Sequence, residues 1–257
     1  MTRWLRVHLL VTYAFLFVPI LVLVALSFNR SGLPTSWGGF STKWYGELAR
    51  NSEIREGVRN TLVVAVSATI LAVIIGTLLA VGIQRHVRSS LLESVFIAPA
   101  VLPDIVLAVG LLSLYTFIDM TLGLRSVLLS HTLFCTAFVT AVVRTRLQHV
   151  DPSMEEAARD LGDTAVGAFV RITLPNLAPG IIAGALLSFT LSLDEFVIAF
   201  FTNGPTTPTL PQVIYSNVRF GVNPDINALA AVLLLVSTVA VLSAQRLTRF
   251  TSTIQGR

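Results

Sequence analysis

What this 257-residue chain has least of is charge: Asp, Glu, Lys and Arg make up 12% of it, against 54% hydrophobic residues. That ratio excludes an ordinary soluble domain, and the mean hydropathy of +0.77 points to a polytopic membrane protein. Cysteine is nearly absent as well. Cys135 is alone and lies inside an apolar run, so no intrachain disulfide forms and nothing about redox compartment follows. Lysine occurs once, at Lys43 after Thr42, so the phosphate-binding pattern G-x-x-x-x-G-K-[ST] is missing and the chain is not a P-loop ATPase. Energy for any pumping must then come from a partner or an ion gradient. The other basic residues are arginines, and a net charge of +4 fits loops facing anionic lipid rather than nucleic-acid binding.

Six apolar runs are long enough at 1.5 Å per residue to cross about 30 Å of hydrocarbon. They cover roughly His8 to Phe28, Thr61 to Ile83, Leu91 to Ile118, Ser126 to Val143, Ala178 to Phe201, and Ile226 to Ala244. The first is too long for a signal-peptide core, and no clear A-x-A site follows it, so it is read as retained. The fold class is therefore all-α and polytopic, with residues 1–257 forming one transmembrane domain of six helices. With the N-terminus inside, Arg3, Arg6, Arg85, Arg88, Arg144, Arg146, Arg159, Arg171, Arg246, Arg249 and Arg257 face the cytoplasm, eleven of the eighteen basic residues. Both termini and the loop 144–177 are then cytoplasmic. Residues 29–60 and 202–225 form the first and last external loops.

Three acids interrupt the apolar helices: Asp104 in the third, and Asp194 and Glu195 in the fifth. An ionised carboxylate in a bilayer is costly and normally faces a cavity or a partner. On straight helices Asp104 lies roughly 20 Å and Asp194 roughly 24 Å from the inner end, a common level in the outer half. Pro99 and Pro103 loosen the third helix beside Asp104. Two acids on one level favour a cation route, with Glu195 pointing about 100° away from Asp194 on the same helix. His131, a lone intramembrane histidine, reads as a hydrogen-bonded packing residue before a ligand. In the first external loop, Pro34, Trp37, Gly38, Gly39, Phe40, Trp44 and Tyr45 read as an interfacial anchor, or with Trp44 or Tyr45 offering a ring face to a passing cation. The last loop opens on Asn203-Gly204-Pro205-Thr206-Thr207-Pro208, with a helix expected near Leu210 to Phe220 as a gate or a cover.

Between the fourth and fifth runs lies a polar island, Asp151 to Pro175. Asp151 before Pro152 suggests a helix start, Gly162 a left-handed stop, Asp163 a second cap, and Pro175 the close of a second short helix. On the first helix Met154, Ala157, Ala158 and Leu161 share one stripe. Its acids outnumber its two arginines, which excludes a DNA-reading helix-turn-helix. Glu156-Ala157-Ala158, three residues, Gly162, nine residues, then Ile172-Thr173-Leu174-Pro175 resembles the EAA loop of binding-protein-dependent ABC importer permeases. Pro103-Asp104-Ile105-Val106, the run Ser130 to Cys135, the run Leu186 to Glu195, and Thr42-Lys43-Trp44-Tyr45 are similar to the PotC-type permeases of spermidine/putrescine importers.

That resemblance implies a type I importer permease in a bacterial inner membrane. It implies a second homologous permease, two ATPase subunits that bind ATP and Mg, and an extracytoplasmic polyamine-binding protein, with no cofactor on this chain. It assigns Glu156, Ala157, Ala158, Gly162, Ile172, Leu174 and Pro175 to ATPase coupling, and Asp104, Asp194 and Trp44 to polyamine passage. Glu195 departs toward a longer acid. Another organic amine or a metal chelate is the alternative cargo. A gradient-driven transporter, with the acids relaying protons, is the alternative class, against which stands the lack of a visible inverted repeat.

Overall fold

The computed structural model describes residues 3–32, 36–86, 90–221 and 224–255, without side chains at 86, 90, 92, 220 and 240–255. Pro34, Arg88 and Arg257 lie outside the described residues, as do the side chains of Arg246 and Arg249. The described chain is helical apart from loops and one isolated bridge, Asn29 to Phe40. The elements are α1 (Arg3–Ser27), α2 (Lys43–Arg50), α3 (Ser52–His86), α4 (Ser90–Val101), α5 (Asp104–Phe117), α6 (Leu124–Leu147), α7 (Ser153–Asp160) and α8 (Ala165–Ala168). A π-helical turn, Phe169–Thr173, leads into α9 (Leu174–Asp194), followed by α10 (Val197–Thr202), α11 (Leu210–Phe220) and α12 (Pro224–Gln255).

Among the described residues, four helical stretches are long and apolar enough to cross a membrane alone: Arg3–Ser27, Ser52–Arg85, Leu124–Leu147 and Ala165–Asp194. The expected third span is not one helix. Glu93–Val101 and Asp104–Phe117 meet at 112°, because Pro103 has no N–H to donate and pushes Leu102 away from helical geometry. Depths reckoned along a straight helix therefore do not hold for Asp104. The fifth run also differs: α9 starts upstream at Leu174 and stops at Asp194, with Glu195 extended. The sixth run falls in α12, whose described apolar part is Pro224–Val239.

The chain divides into two compact units. Residues 1–55 and 214–257 form one, in which α12 packs on α1 and α2. Asn51 organises its turn: Oδ1 accepts from the amides of Glu53 and Ile54, and Nδ2 donates to Asp225.

Residues 56–213 form the other unit, built on α6, which packs against α4, α9 and α10. Its buried face is largely polar or small: Ser126, Ser130, His131, Thr132, Thr136 and Thr140. Thr132, Thr136 and Thr140 each donate at 2.7 Å to the carbonyl four residues back, which removes their hydroxyls from the apolar interior. Without a hydrophobic drive between helices in lipid, close packing by small residues holds them together. A Cβ at Gly180 of α9 would stand 2.6 Å from Arg146 Cβ, so α6 and α9 touch almost backbone to backbone there.

Gly180→Ala is expected to destabilise the subunit by about 1–3 kcal/mol through overpacking. Gly82→Ala, where a Cβ meets nothing within 4 Å, leaves stability unchanged or slightly raised through helix propensity. Thermal unfolding in detergent distinguishes the two.

Candidate functional site

The polar island forms a compact knot on the second unit. Asp151 accepts from the Ser153 amide at 2.9 Å, so α7 begins one residue later than the expected cap implies. Glu155 and Glu156 occupy its first turn, where the helix dipole favours acids. They point to different uses. Glu155 takes two bonds from the Arg85 guanidinium, at 3.0 and 2.6 Å, and one from the Thr173 hydroxyl. Arg85 first, then Thr173, hold its carboxyl below the ordinary glutamate range. Glu156 is exposed.

The α7 stop has a specific geometry. Gly162 takes φ +93°, its amide donates to Arg159, and the Asp163 amide donates to Ala158, the paired bonds of a Schellman motif. Thr164, not Asp163, caps α8 by accepting from Gly167. Asp163 instead accepts from the Thr164 amide and pairs with Arg171 at 3.2 Å. Pro175 does not close a helix either. The wider π turn just before it relieves the clash between its ring and the preceding turn, so helix continues from Ala165 to Asp194. Ile172 and Leu174 are half-buried, and Pro175 is exposed.

The outer face of this knot is apolar. Met154 is 45% exposed, Leu161 90% and Val166 73%, with Ala157 also open and Ala158 half-buried. Beside it runs a cleft of about 400 Å³ bounded by Gln84, Arg85, Gln148, Glu155, Arg159 and Ile172. Unpaired apolar side chains rimmed by charge mark a protein-docking surface.

The intramembrane acids all sit at helix breaks. Asp104 is the first residue of α5, straight after the Pro103 bend, and Asp194 is the last residue of α9. Both are exposed, and among the described residues no hydrogen bond or ion pair reaches either carboxylate. A helix C-terminus carries partial negative charge, so Asp194 adds a full charge to an already negative end, and a cation is its natural complement. Glu195 is not beside Asp194 on a helix. It is extended and buried, and its oxygens accept from the amides of Ile198 and Ala199. α10, which follows Glu195, packs on α5, which begins at Asp104, so the break before α5 and the break after α9 are neighbours in this unit.

In the first unit, Trp44 donates from Nε1 to the Asn29 carbonyl at 2.7 Å, and Tyr45 shares a 2.7 Å hydrogen bond with Ser27. The Lys43 ammonium lies 4.0 Å from the Trp44 ring centroid, so that ring face already carries a cation. Asn29, 2% exposed, organises the start of this loop by bonding Ser31, Ser36 and Gly38. Its only signal in the sequence is a polar side chain at the end of an apolar run.

The profile of the family described as "Binding-protein-dependent transport system inner membrane component" matches residues 72–252. The chain belongs to that family. As an inner-membrane component it is a multi-pass membrane protein, with the polar island inside the matched region. It is 45% identical over 240 residues to the putrescine transport system permease protein PotI of Escherichia coli K12, covering 90% of this chain and 85% of the relative. It is 40% identical over 239 residues to the spermidine/putrescine transport system permease protein PotC of the same strain, covering 92% and 90%. Among solved structures, a bacterial ABC transporter that imports the acidic polysaccharide alginate matches with TM-score 0.72 at 18% identity, covering 96% of this chain and 95% of that one. That likeness establishes a shared fold.

For this inner-membrane component, the residues that sequence reading missed are the ones that anchor rather than exchange. Arg85 and Thr173 fasten α7 through Glu155; Arg85 lies outside the stretch that resembles the EAA pattern, and Thr173 fills an unspecified position within it. His131 is 2% exposed and bonds Ser192 at 2.8 Å, with Nε2 3.6 Å from Glu195.

Because the Glu155 carboxyl is held low, its tether is complete above the ordinary glutamate value of 4.5 and is lost as pH falls through the lower folded value. A nitroxide at Asp160 is expected to stay immobile from pH 7 down past 4.5 and to loosen only below it. In Glu155→Gln it is mobile across the whole range.

Proposed function

We propose that this chain is the permease subunit of an ATP-driven importer of polyamines, working with a second homologous permease, two ATPase subunits and an extracytoplasmic polyamine-binding protein. The observation that carries the cargo assignment is the pair of exposed, unpaired carboxylates at adjoining helix breaks. Neither can face lipid without a large penalty, so both face a pathway completed by another subunit. A linear polyamine supplies spaced ammonium groups to such acids, and the similarity to PotI and PotC supports that chemistry. Trp44 and Tyr45 add aromatic rings in the first external loop, where Trp44 can exchange its own Lys43 for a cargo ammonium.

The docking surface formed by Met154, Glu156, Ala157, Ala158 and Leu161 meets the ATPase subunits, which hold ATP and Mg themselves. In this arrangement the polar island and both termini face the cytoplasm of a bacterium. Closure of the ATPase dimer displaces the knot as a body, because Gly162 fixes its turn and Glu155 ties it to Arg85. The displacement reaches the pathway through one helical stretch of 30 residues, Ala165–Asp194, about 45 Å long. Asp194 at its far end then moves with the knot. The remaining residues of the coupling pattern, Ile172, Leu174 and Pro175, form the joint between knot and rod.

In proteoliposomes containing the assembled importer, Asp104→Asn and Asp194→Asn are expected to cut spermidine or putrescine uptake about tenfold or more, with binding-protein-stimulated ATP hydrolysis retained. Glu156→Lys and Gly162→Val, the latter forced into a left-handed conformation that a β-branched residue resists, lose both uptake and stimulated hydrolysis while the subunit stays in the membrane. Uptake of a neutral solute but no polyamine by the wild-type assembly contradicts the cargo assignment. Full coupling in both knot variants contradicts the docking assignment.

A further inference from the structure

Glu195 differs from the other two intramembrane acids. Oε1 accepts from the Ile198 amide at 2.9 Å and Oε2 from the Ala199 amide at 3.0 Å, and the residue is 9% exposed. These amides open α10, and in an apolar surrounding no water can satisfy them. The other end of α10 is satisfied in the same way: Gln212 donates to Ala199 and Ser126 donates to Thr202, at 3.0 and 2.6 Å. A helix of six residues is thus held by side chains from three other segments.

Behind Glu195 stand His131 and Ser192. Nδ1 of His131 is 2.8 Å from the Ser192 hydroxyl, and Nε2 is 3.6 Å from Glu195 Oε2, in contact but beyond a hydrogen bond. The space they share with Thr61 and Thr209 is too small for a water molecule. The carboxylate is therefore clamped between backbone amides in front and a packed imidazole behind. Asp194, its covalent neighbour, is exposed, and α10 packs on α5, which begins at Asp104. How Glu195 seats α10 sets where Asp194 stands relative to Asp104.

We propose that Glu195, braced by His131 and Ser192, is a positioning residue that closes the α10 N-terminus inside the membrane and so holds Asp194 at the pathway, without touching cargo. This rests on the reading of Asp194 as a pathway acid.

The test uses the assembled importer with Glu195→Gln and Glu195→Ala. Glutamine keeps one of the two acceptor oxygens and loses the charge, whereas alanine removes the whole cap. Amide hydrogen exchange is expected to accelerate about tenfold or more at both Ile198 and Ala199 in the alanine variant, and at only one of the two in the glutamine variant, whose side-chain NH2 cannot accept. Uptake of spermidine and putrescine follows the cap and not the charge. Glu195→Gln keeps its half-saturation concentration and most of its maximal rate, and Glu195→Ala loses maximal rate. The proposal is overturned if Glu195→Gln raises the half-saturation concentration as much as Asp194→Asn does while one of the two amides stays protected, which would make the charge a cargo contact. It is also overturned if the alanine variant exchanges like wild type. Should the alanine variant fail to assemble, the glutamine variant decides alone by these same readouts. If the wild-type importer moves neither polyamine, the cargo assignment fails while the exchange measurement still decides the cap.

Discussion

Hydrocarbon offers no hydrogen bonds, so every interruption of a helix within it must be satisfied by the protein itself. This constraint explains why the interruptions here are few and why each is built around specific side chains. The hydroxyls lining α6 turn back onto their own helix, and the N-terminus of α10 is closed by Glu195. A carboxylate stands at each of the two breaks, and those two carboxylates have no such satisfaction within the described chain. The contrast separates acids that hold the structure from acids left open to something else.

The same economy shapes the polar island. Two consecutive glutamates divide the work: Glu155 turns inward to Arg85 and Thr173, and Glu156 stays outward beside an apolar stripe. One anchors α7 to its base, and the other leaves its face open. The π turn at Phe169–Thr173 then lets a proline-containing sequence remain helical, so that knot and membrane rod are one mechanical piece. A loop in its place would absorb a displacement rather than transmit it.

Much of this was legible beforehand. The apolar runs, the left-handed stop at Gly162, the helix Leu210–Phe220 and the weakness of the third span near Pro103 follow from local rules that act over a few residues. Where the structure departs from these rules, another partner or another backbone geometry overrules the immediate signal. Asp163 has the chemistry of a cap, but Arg171 draws it off and Thr164 takes the role. Pro175 has the chemistry of a stop, but a π turn accommodates it. Glu195 was placed on a helix because nothing adjacent to it breaks one. The break instead depends on the two amides that its carboxylate can reach only once the chain has bent, and on His131 from another helix.

The sequence alone therefore determined the membrane environment, most of the apolar helices long enough to cross it, the left-handed stop in the polar island, and which side chains are too polar to be there without purpose. Those are properties of composition and of neighbours along the chain. The structure decided which of the acids is spoken for and which are open, and that the polar knot and the helix ending at Asp194 are continuous. The first depends on distances between residues as far apart as His131 and Glu195, which no periodicity encodes, and the second on a π turn that accommodates Pro175.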